Sequence, residues 1–147
     1  MKKITVVSFL FIPLFLLLMG MKNDFSTKNF SNQPGLQKSI IAGKIVFKKY
    51  CISCHQADGG GVPNMNPPLI QTSFVLGNKD TLINIVLKGL KNVTIDDETY
   101  NNPMPALGTV LKDQQIADVL TYVRNSFGNK TSGITAQEVK TVRDSSK

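Results

Sequence analysis

The stretch YCISCHQADGGG, residues 50–61, holds both cysteines and the single histidine of a 147-residue chain. Cys51, Cys54 and His55 stand at i, i+3 and i+4. On a helical turn those side chains share one face. Upstream, Leu36, Ile40, Gly43, Phe47 and Tyr50 recur at three- and four-residue steps. That spacing predicts a helix running directly into Cys51. Downstream, DGGGVPNMNPPL ends all regularity, because Gly and Pro do not continue a helix.

Four chemistries use such a cysteine pair. A thioredoxin-like redox site needs a strand before the pair and a helix after it, whereas here a helix precedes and glycines follow. Structural zinc needs four ligands, and the chain has no further Cys or His. A plain disulfide suits an oxidising compartment but leaves His55 without a role. The fourth is covalent haem attachment, for which C-x-x-C-H is the pattern. Two thiols at this separation add across the two vinyl groups of one porphyrin edge. The next residue then sets an imidazole over the same macrocycle, where it ligates iron. One haem c, held by Cys51, Cys54 and His55, accounts for all three side chains.

The rest of the sequence frames that site. Lys2 and Lys3 open the chain, and residues 4–19 are almost wholly apolar, broken by Thr5, Ser8 and Pro13. A basic start and a short apolar run read as a secretory signal peptide or a retained N-terminal anchor over residues 1–21. No A-x-A cleavage pattern decides between the two. Either reading sends the remainder to the periplasm. Residues 22–35, rich in Asn, Ser and Lys, read as a polar linker, and residues 36–147 as one domain. The formal charge is +7, or +5 without Lys2 and Lys3. Lys44, Lys48 and Lys49 precede the cysteines, and Lys88 and Lys91 form a second pair. Modest basicity in an exported chain argues against nucleic acid and reads first as a solvated basic surface, with a docking patch for an acidic protein partner as the alternative.

Further helices follow from apolar periodicity. Asp80 is a plausible N-cap for TLINIVLKG, which Gly89 ends. VTIDDETY, residues 93–100, reads as a small hairpin around Asp96-Asp97. Ile116, Val119, Leu120, Val123 and Phe127 form an apolar stripe from Asp113 onward, ended by Gly128. Thr135 and Glu138 have capping-box spacing before a short helix over residues 136–143. The expectation is an all-α fold of three to five helices around one covalently bound haem, whose bulk completes a small core.

Iron in haem has a second axial position, and no other histidine exists to fill it. Met65 lies ten residues past His55, too near to pass around the ring edge. Met104 lies between Pro103 and Pro105, whose fixed φ angles stiffen the loop. Met104 is therefore the expected sixth ligand.

These segments resemble small monohaem His/Met cytochromes c. The resemblance rests on GKIVFKKYCISCHQADGGGVPNMNPPL, YNNPMPALG and LKDQQIADVLTYVRNSFGN, and spans about residues 36–143. The tail ITAQEVKTVRD is similar to cytochrome domains that accompany periplasmic dehydrogenases. The resemblance implies that Gly43 and Phe47 of the first helix pack on Tyr122 of a later one. It also implies that the carbonyl of Pro68 accepts the N–H of His55. Lys112 stands where the family often has a Ser or Thr cap, and Asp96-Asp97 where a turn Gly is common.

A haem with both axial positions filled suits outer-sphere transfer of single electrons between Fe(II) and Fe(III) rather than substrate chemistry. The sequence thus predicts a non-enzymatic carrier, or the cytochrome subunit of an exported oxidoreductase. Its partners would be a redox donor and acceptor, such as a dehydrogenase and a terminal oxidase or reductase. Membrane association is expected only if residues 1–21 are retained. Two other readings have distinct requirements. A peroxidase-like enzyme or sensor needs an open iron position. A zinc- or disulfide-stabilised interaction module needs no haem at all.

Overall fold

The apolar stripe that starts at Leu36 does fold as a helix. In the computed structural model, which describes residues 34–146, α1 spans Pro34–Tyr50. It opens on a proline, a residue suited to the first helical position. The expected signal or anchor and most of the linker lie outside the described residues. The linker's last two residues already belong to α1. Among the described residues, no helix is long and apolar enough to cross a membrane.

α1 ends at Tyr50, and α2 (Ile52–His55) follows after one residue. The hydrogen bond from Cys51 N to Phe47 O, 2.9 Å, carries the helical path across the break. The next two elements are α3 (Ser73–Leu76) and α4 (Lys79–Lys88). The cap of α4 is Asn78, not Asp80. Asn78 Oδ1 accepts from Thr81 N at 3.0 Å, while Asp80 sits inside the first turn. There its charge still suits the positive end of the helix.

β1 (Val93–Ile95) and β2 (Glu98–Tyr100) pair antiparallel, with Val93 opposite Tyr100 and Ile95 opposite Glu98. Asp96 and Asp97 have φ of 51° and 69°. Two consecutive positive φ values make the tight turn that matches strand twist. Aspartate tolerates this region better than most residues. Asp96 also accepts Ser73 N through Oδ2 at 3.0 Å, which ties the hairpin to the start of α3.

α5 (Asp113–Val123) and α6 (Ala136–Ser145) complete the order. Lys112, at the cap position of α5, offers no side-chain acceptor. Instead Gln115 Oε1 accepts Lys112 N at 3.0 Å, half of a capping box. Among the described residues there are six helices, of which α2 and α3 are single four-residue turns. The two-stranded hairpin is the only sheet among them.

The core forms where α1 crosses α5. Gly43 makes the crossing close: a Cβ there would lie 1.9 Å from Asp118 O and 2.7 Å from Tyr122 Cβ. Asp118 is buried, and its Oδ1 accepts Ser39 Oγ at 2.5 Å and Gln114 Nε2 at 2.9 Å. The Phe47 ring meets Tyr122 and Phe127, each with centroids 5.4 Å apart, and the Tyr122 and Phe127 rings meet edge to face at 5.6 Å. Tilted and edge-on geometries are the favourable ones for aromatic pairs. Ile116 of α5 and Val139 of α6 are fully buried.

α6 is capped as its sequence predicts, with Thr135 Oγ1 accepting Glu138 N at 3.2 Å and Glu138 Oε2 accepting Thr135 N at 2.7 Å. Glu138 Oε1 also pairs with Lys79 Nζ at 2.8 Å. Burial alone would raise the Glu138 carboxyl, but the bonds from Lys79 and Thr135 outweigh it and hold the pKa below the usual range. A lowered folded pKa contributes stability that is present above the ordinary carboxylate value and lost as pH falls through the lowered one. Glu138→Gln is expected to cost about 1 kcal/mol at neutral pH. It should also flatten the acid limb of the stability profile, measured by denaturant unfolding between neutral pH and pH 3. Parallel acid limbs in the two proteins would show that Glu138 contributes nothing there.

Candidate haem site

One apolar cleft gathers the residues that the sequence singled out. Its lining includes Cys51, Cys54 and His55, the run Pro67-Pro68-Leu69, Val75 of α3, Val86 of α4 and Met104. The cleft encloses about 1250 Å³ of empty space counted out to its mouth. Phe47 also lines it, whereas Tyr122 stands behind Phe47 in the ring cluster. Met65 is not on the lining and is 48% exposed.

Cys51 is half-buried and Cys54 exposed, and neither is in a disulfide. Burial, with the neighbouring Cys54, pushes the Cys51 thiol up to about 11. At neutral pH it is therefore a thiol rather than a thiolate. The exposure of Cys54 places the edge of the cleft that it borders toward solvent.

His55 Nδ1 lies 3.0 Å from Pro67 O. A carbonyl oxygen only accepts, so Nδ1 carries the proton and donates, which leaves the Nε2 lone pair for a metal. Burial lowers the His55 pKa more than the bond to Pro67 raises it, and the ring is neutral at neutral pH. The acceptor is the carbonyl of Pro67, not that of Pro68 as expected from sequence. The backbone of the loop explains this. Gly61, at φ +68°, lets residues 66–67 cross so closely that a Cβ on it would lie 2.4 Å from Asn66 O and 2.7 Å from Pro67 O. With Val62 N bonded to Asn66 O at 2.8 Å and Leu69 N to Gly59 O at 2.7 Å, the Pro67 carbonyl is the one presented to the ring.

The Met104 loop is fixed from three sides. Met104 exchanges backbone hydrogen bonds with Leu90, at 2.8 and 3.1 Å. Leu107 N and Gly108 N bond to Val86 O at 2.9 Å and Leu87 O at 3.2 Å, on the last turn of α4. Asn101 N and Asn102 N bond to Asn64 O at 3.3 Å and Met65 O at 3.1 Å. These last bonds join the loop that carries Met104 to the loop that follows His55.

Sequence reasoning missed the residues that brace the cleft from behind. Asn129 is buried; its Nδ2 donates to Leu69 O at 2.7 Å and Val123 O at 2.8 Å, and its Oδ1 accepts Gln71 N at 2.7 Å. Arg124, 2% exposed, donates to Val75 O at 2.6 Å and Ser132 O at 2.8 Å. Both follow the last residue of α5: Asn129 donates to Val123 O at its unpaired end, whereas Arg124 reaches across to α3 and the loop before α6. That position was the only sequence signal available.

An apolar slot, two adjacent sulfurs at one edge and a neutral imidazole with a free Nε2 define a domain built for a covalently held porphyrin. Residues 40–127 match the family described as Cytochrome c. The chain is 36% identical over 128 residues to the cytochrome c subunit of alcohol dehydrogenase (quinone) from Gluconacetobacter polyoxogenes, covering 81% of this chain and 27% of that protein. It is 34% identical over 104 residues to the gluconate 2-dehydrogenase cytochrome c subunit of Pantoea cypripedii, covering 69% of this chain and 24% of that one. It is 35% identical over 119 residues to cytochrome c-552 of Thermus thermophilus, covering 74% of this chain and 79% of that protein. The chain belongs to the cytochrome c family, whose cofactor is covalently bound haem c. It spans about a quarter of the length of the dehydrogenase subunits it matches.

Proposed function

We propose that this domain is an exported carrier of single electrons. It works either alone or as the cytochrome part of a larger periplasmic oxidoreductase, with a dehydrogenase as electron donor. Cys51 and Cys54 would hold the porphyrin, and His55 and Met104 would ligate its iron. The observation that carries this reading is the convergence of both thiols, the oriented imidazole and Met104 on one apolar cleft. When bound, haem supplies a one-electron Fe(III)/Fe(II) couple. The residues set how readily it is used. Pro67 fixes the His55 ring and keeps it in the tautomer that can ligate. The Met104 loop holds a soft thioether in place, which favours the reduced state. Leu69, Val75, Val86 and their neighbours exclude water, which disfavours the extra positive charge of the oxidised state.

Two kinds of relative support the two settings. The match to cytochrome c-552 covers 79% of that protein. The other matches are to dehydrogenase cytochrome subunits. Residues 1–21 direct export and tether the domain to the membrane only if they are retained. Lys48 and Lys49, beside the cleft-lining Tyr50, offer positive charge to an acidic partner. Lys49 Nζ lies 5.2 Å from the Tyr50 ring centroid.

Replacing both cysteines tests the attachment. Purified wild-type protein is expected to retain haem stain after denaturing electrophoresis, and the Cys51→Ala/Cys54→Ala protein to lose all of it. Full staining of the double variant, or none in the wild type, would count against the assignment.

A further inference from the structure

α6 lies wholly beyond residues 40–127, the span that matches the family, yet it reaches back to the loop that presents Met104. The contact is the Arg143 guanidinium. Its Nη1 donates to Gly108 O, its Nη2 to Leu111 O at 3.1 Å, and its Nε to Asp113 Oδ1 at 2.7 Å. Gly108 and Leu111 belong to the segment that runs from Met104 into α5. The same segment is held from its other side by α4, through the bonds of Leu107 and Gly108 to Val86 and Leu87. One planar fork thus spans three points of the segment's end, a geometry that arginine provides and a single amine does not.

α6 is itself anchored well enough to serve as a brace. Val139 and Val142 are buried, Glu138 pairs with Lys79 at the start of α4, and Ser146 Oγ donates to Asn84 Oδ1 at 2.9 Å. Both ends of α6 are therefore tied to α4, the helix against which the Met104 loop is also bonded. A neutral thioether stays on a metal against competing ligands only if its loop is already ordered, since ordering cost subtracts from binding.

We propose that α6 clasps the Met104 loop, with Arg143 as a positioning residue that keeps the thioether on the iron. This rests on Met104 being the axial ligand. The test is the affinity of ferric holoprotein for added imidazole, which competes for the Met104 position and is read by absorbance. Arg143→Gln is expected to bind imidazole about tenfold more tightly than wild type, given the charge-assisted bonds it removes. Amide hydrogen exchange of residues 104–111 should quicken in the same variant. Asp113→Asn, which removes the ion pair and leaves the carbonyl contacts, should shift affinity in the same direction by a smaller factor. It provides the reading if Arg143→Gln does not fold. Glu138→Gln controls for general loosening: it weakens an anchor of α6 at the end away from the loop, so its imidazole affinity should rise by clearly less than that of Arg143→Gln. Unchanged affinity in Arg143→Gln, or in Asp113→Asn where that stands in for it, would overturn the proposal. So would an equal gain in Glu138→Gln. A wild-type spectrum without a methionine-to-iron charge-transfer band would overturn the axial assignment instead, which keeps the two failures distinct.

Discussion

Met104→Ala is expected to abolish the methionine-to-iron charge-transfer band of the ferric protein and to lower its reduction potential by about 0.1 V or more. Axial ligand choice moves haem potentials over a range of about 0.8 V. The direction follows from ligand softness. A thioether stabilises Fe(II), whereas the water that enters when it is removed is a harder donor and favours Fe(III). The surrounding wall should survive, because the loop is fixed by backbone bonds to Leu90, Val86 and Leu87 that the substitution leaves intact. Met65→Ala, at an exposed position off the cleft, should change neither quantity. Optical spectroscopy and a redox titration of the three proteins provide the check. An unaltered band in Met104→Ala, or its loss in Met65→Ala, would contradict the assignment.

Gly43→Ala is expected to destabilise the protein by about 3 kcal/mol, although helix propensity alone favours the change by about 1 kcal/mol. The two effects have opposite signs, so the sign of the result decides between them. Propensity treats Gly43 as a weak point inside α1. The geometry treats it as the contact point with α5, since the new methyl group would lie 1.9 Å from Asp118 O, a rigid backbone atom. α1 and α5 would have to separate, which loosens the Phe47, Tyr122 and Phe127 ring cluster and the Ser39–Asp118 hydrogen bond. Denaturant unfolding of the holoprotein should show a lower midpoint with an unchanged slope. A raised midpoint would mean that the crossing is looser than described.

The sequence made the fold legible wherever one segment carried its own reason to fold. α1 and α5 follow from apolar stripes whose members Phe47 and Ile116 are indeed buried. The hairpin follows from two aspartates that tolerate positive φ. The capping box of α6 was visible as Thr135 and Glu138, three residues apart. Failures came where two nearby residues could do the same job. Asn78 and Asp80 are both good caps, and the helix starts directly after Asn78. Pro67 and Pro68 both have a free carbonyl. The choice between them depends on how Gly61 lets the loop cross, which no property of the prolines encodes.

The supporting shell was illegible for a different reason. Arg124, Asn129 and Arg143 look like ordinary polar residues at or after helix ends. Their partners are mostly backbone carbonyls far along the chain, 60 residues away for Asn129 and Leu69 and 35 for Arg143 and Gly108. A carbonyl carries no residue-type signature, so no spacing rule reveals such a pair. Cys51, Cys54 and His55 could be singled out because they stand together in the sequence, and Met104 by elimination, through its two flanking prolines and the scarcity of other ligands; all four line the same cleft.

The most direct test of the closed His/Met site is proton NMR of the reduced protein with its methionine methyl groups labelled. A methyl group held against iron lies over the porphyrin face, and the ring current moves its resonance far upfield. The account predicts one such resonance in the wild-type protein, absent from Met104→Ala and retained in Met65→Ala. An upfield resonance that belongs to Met65, or none at all, would contradict it.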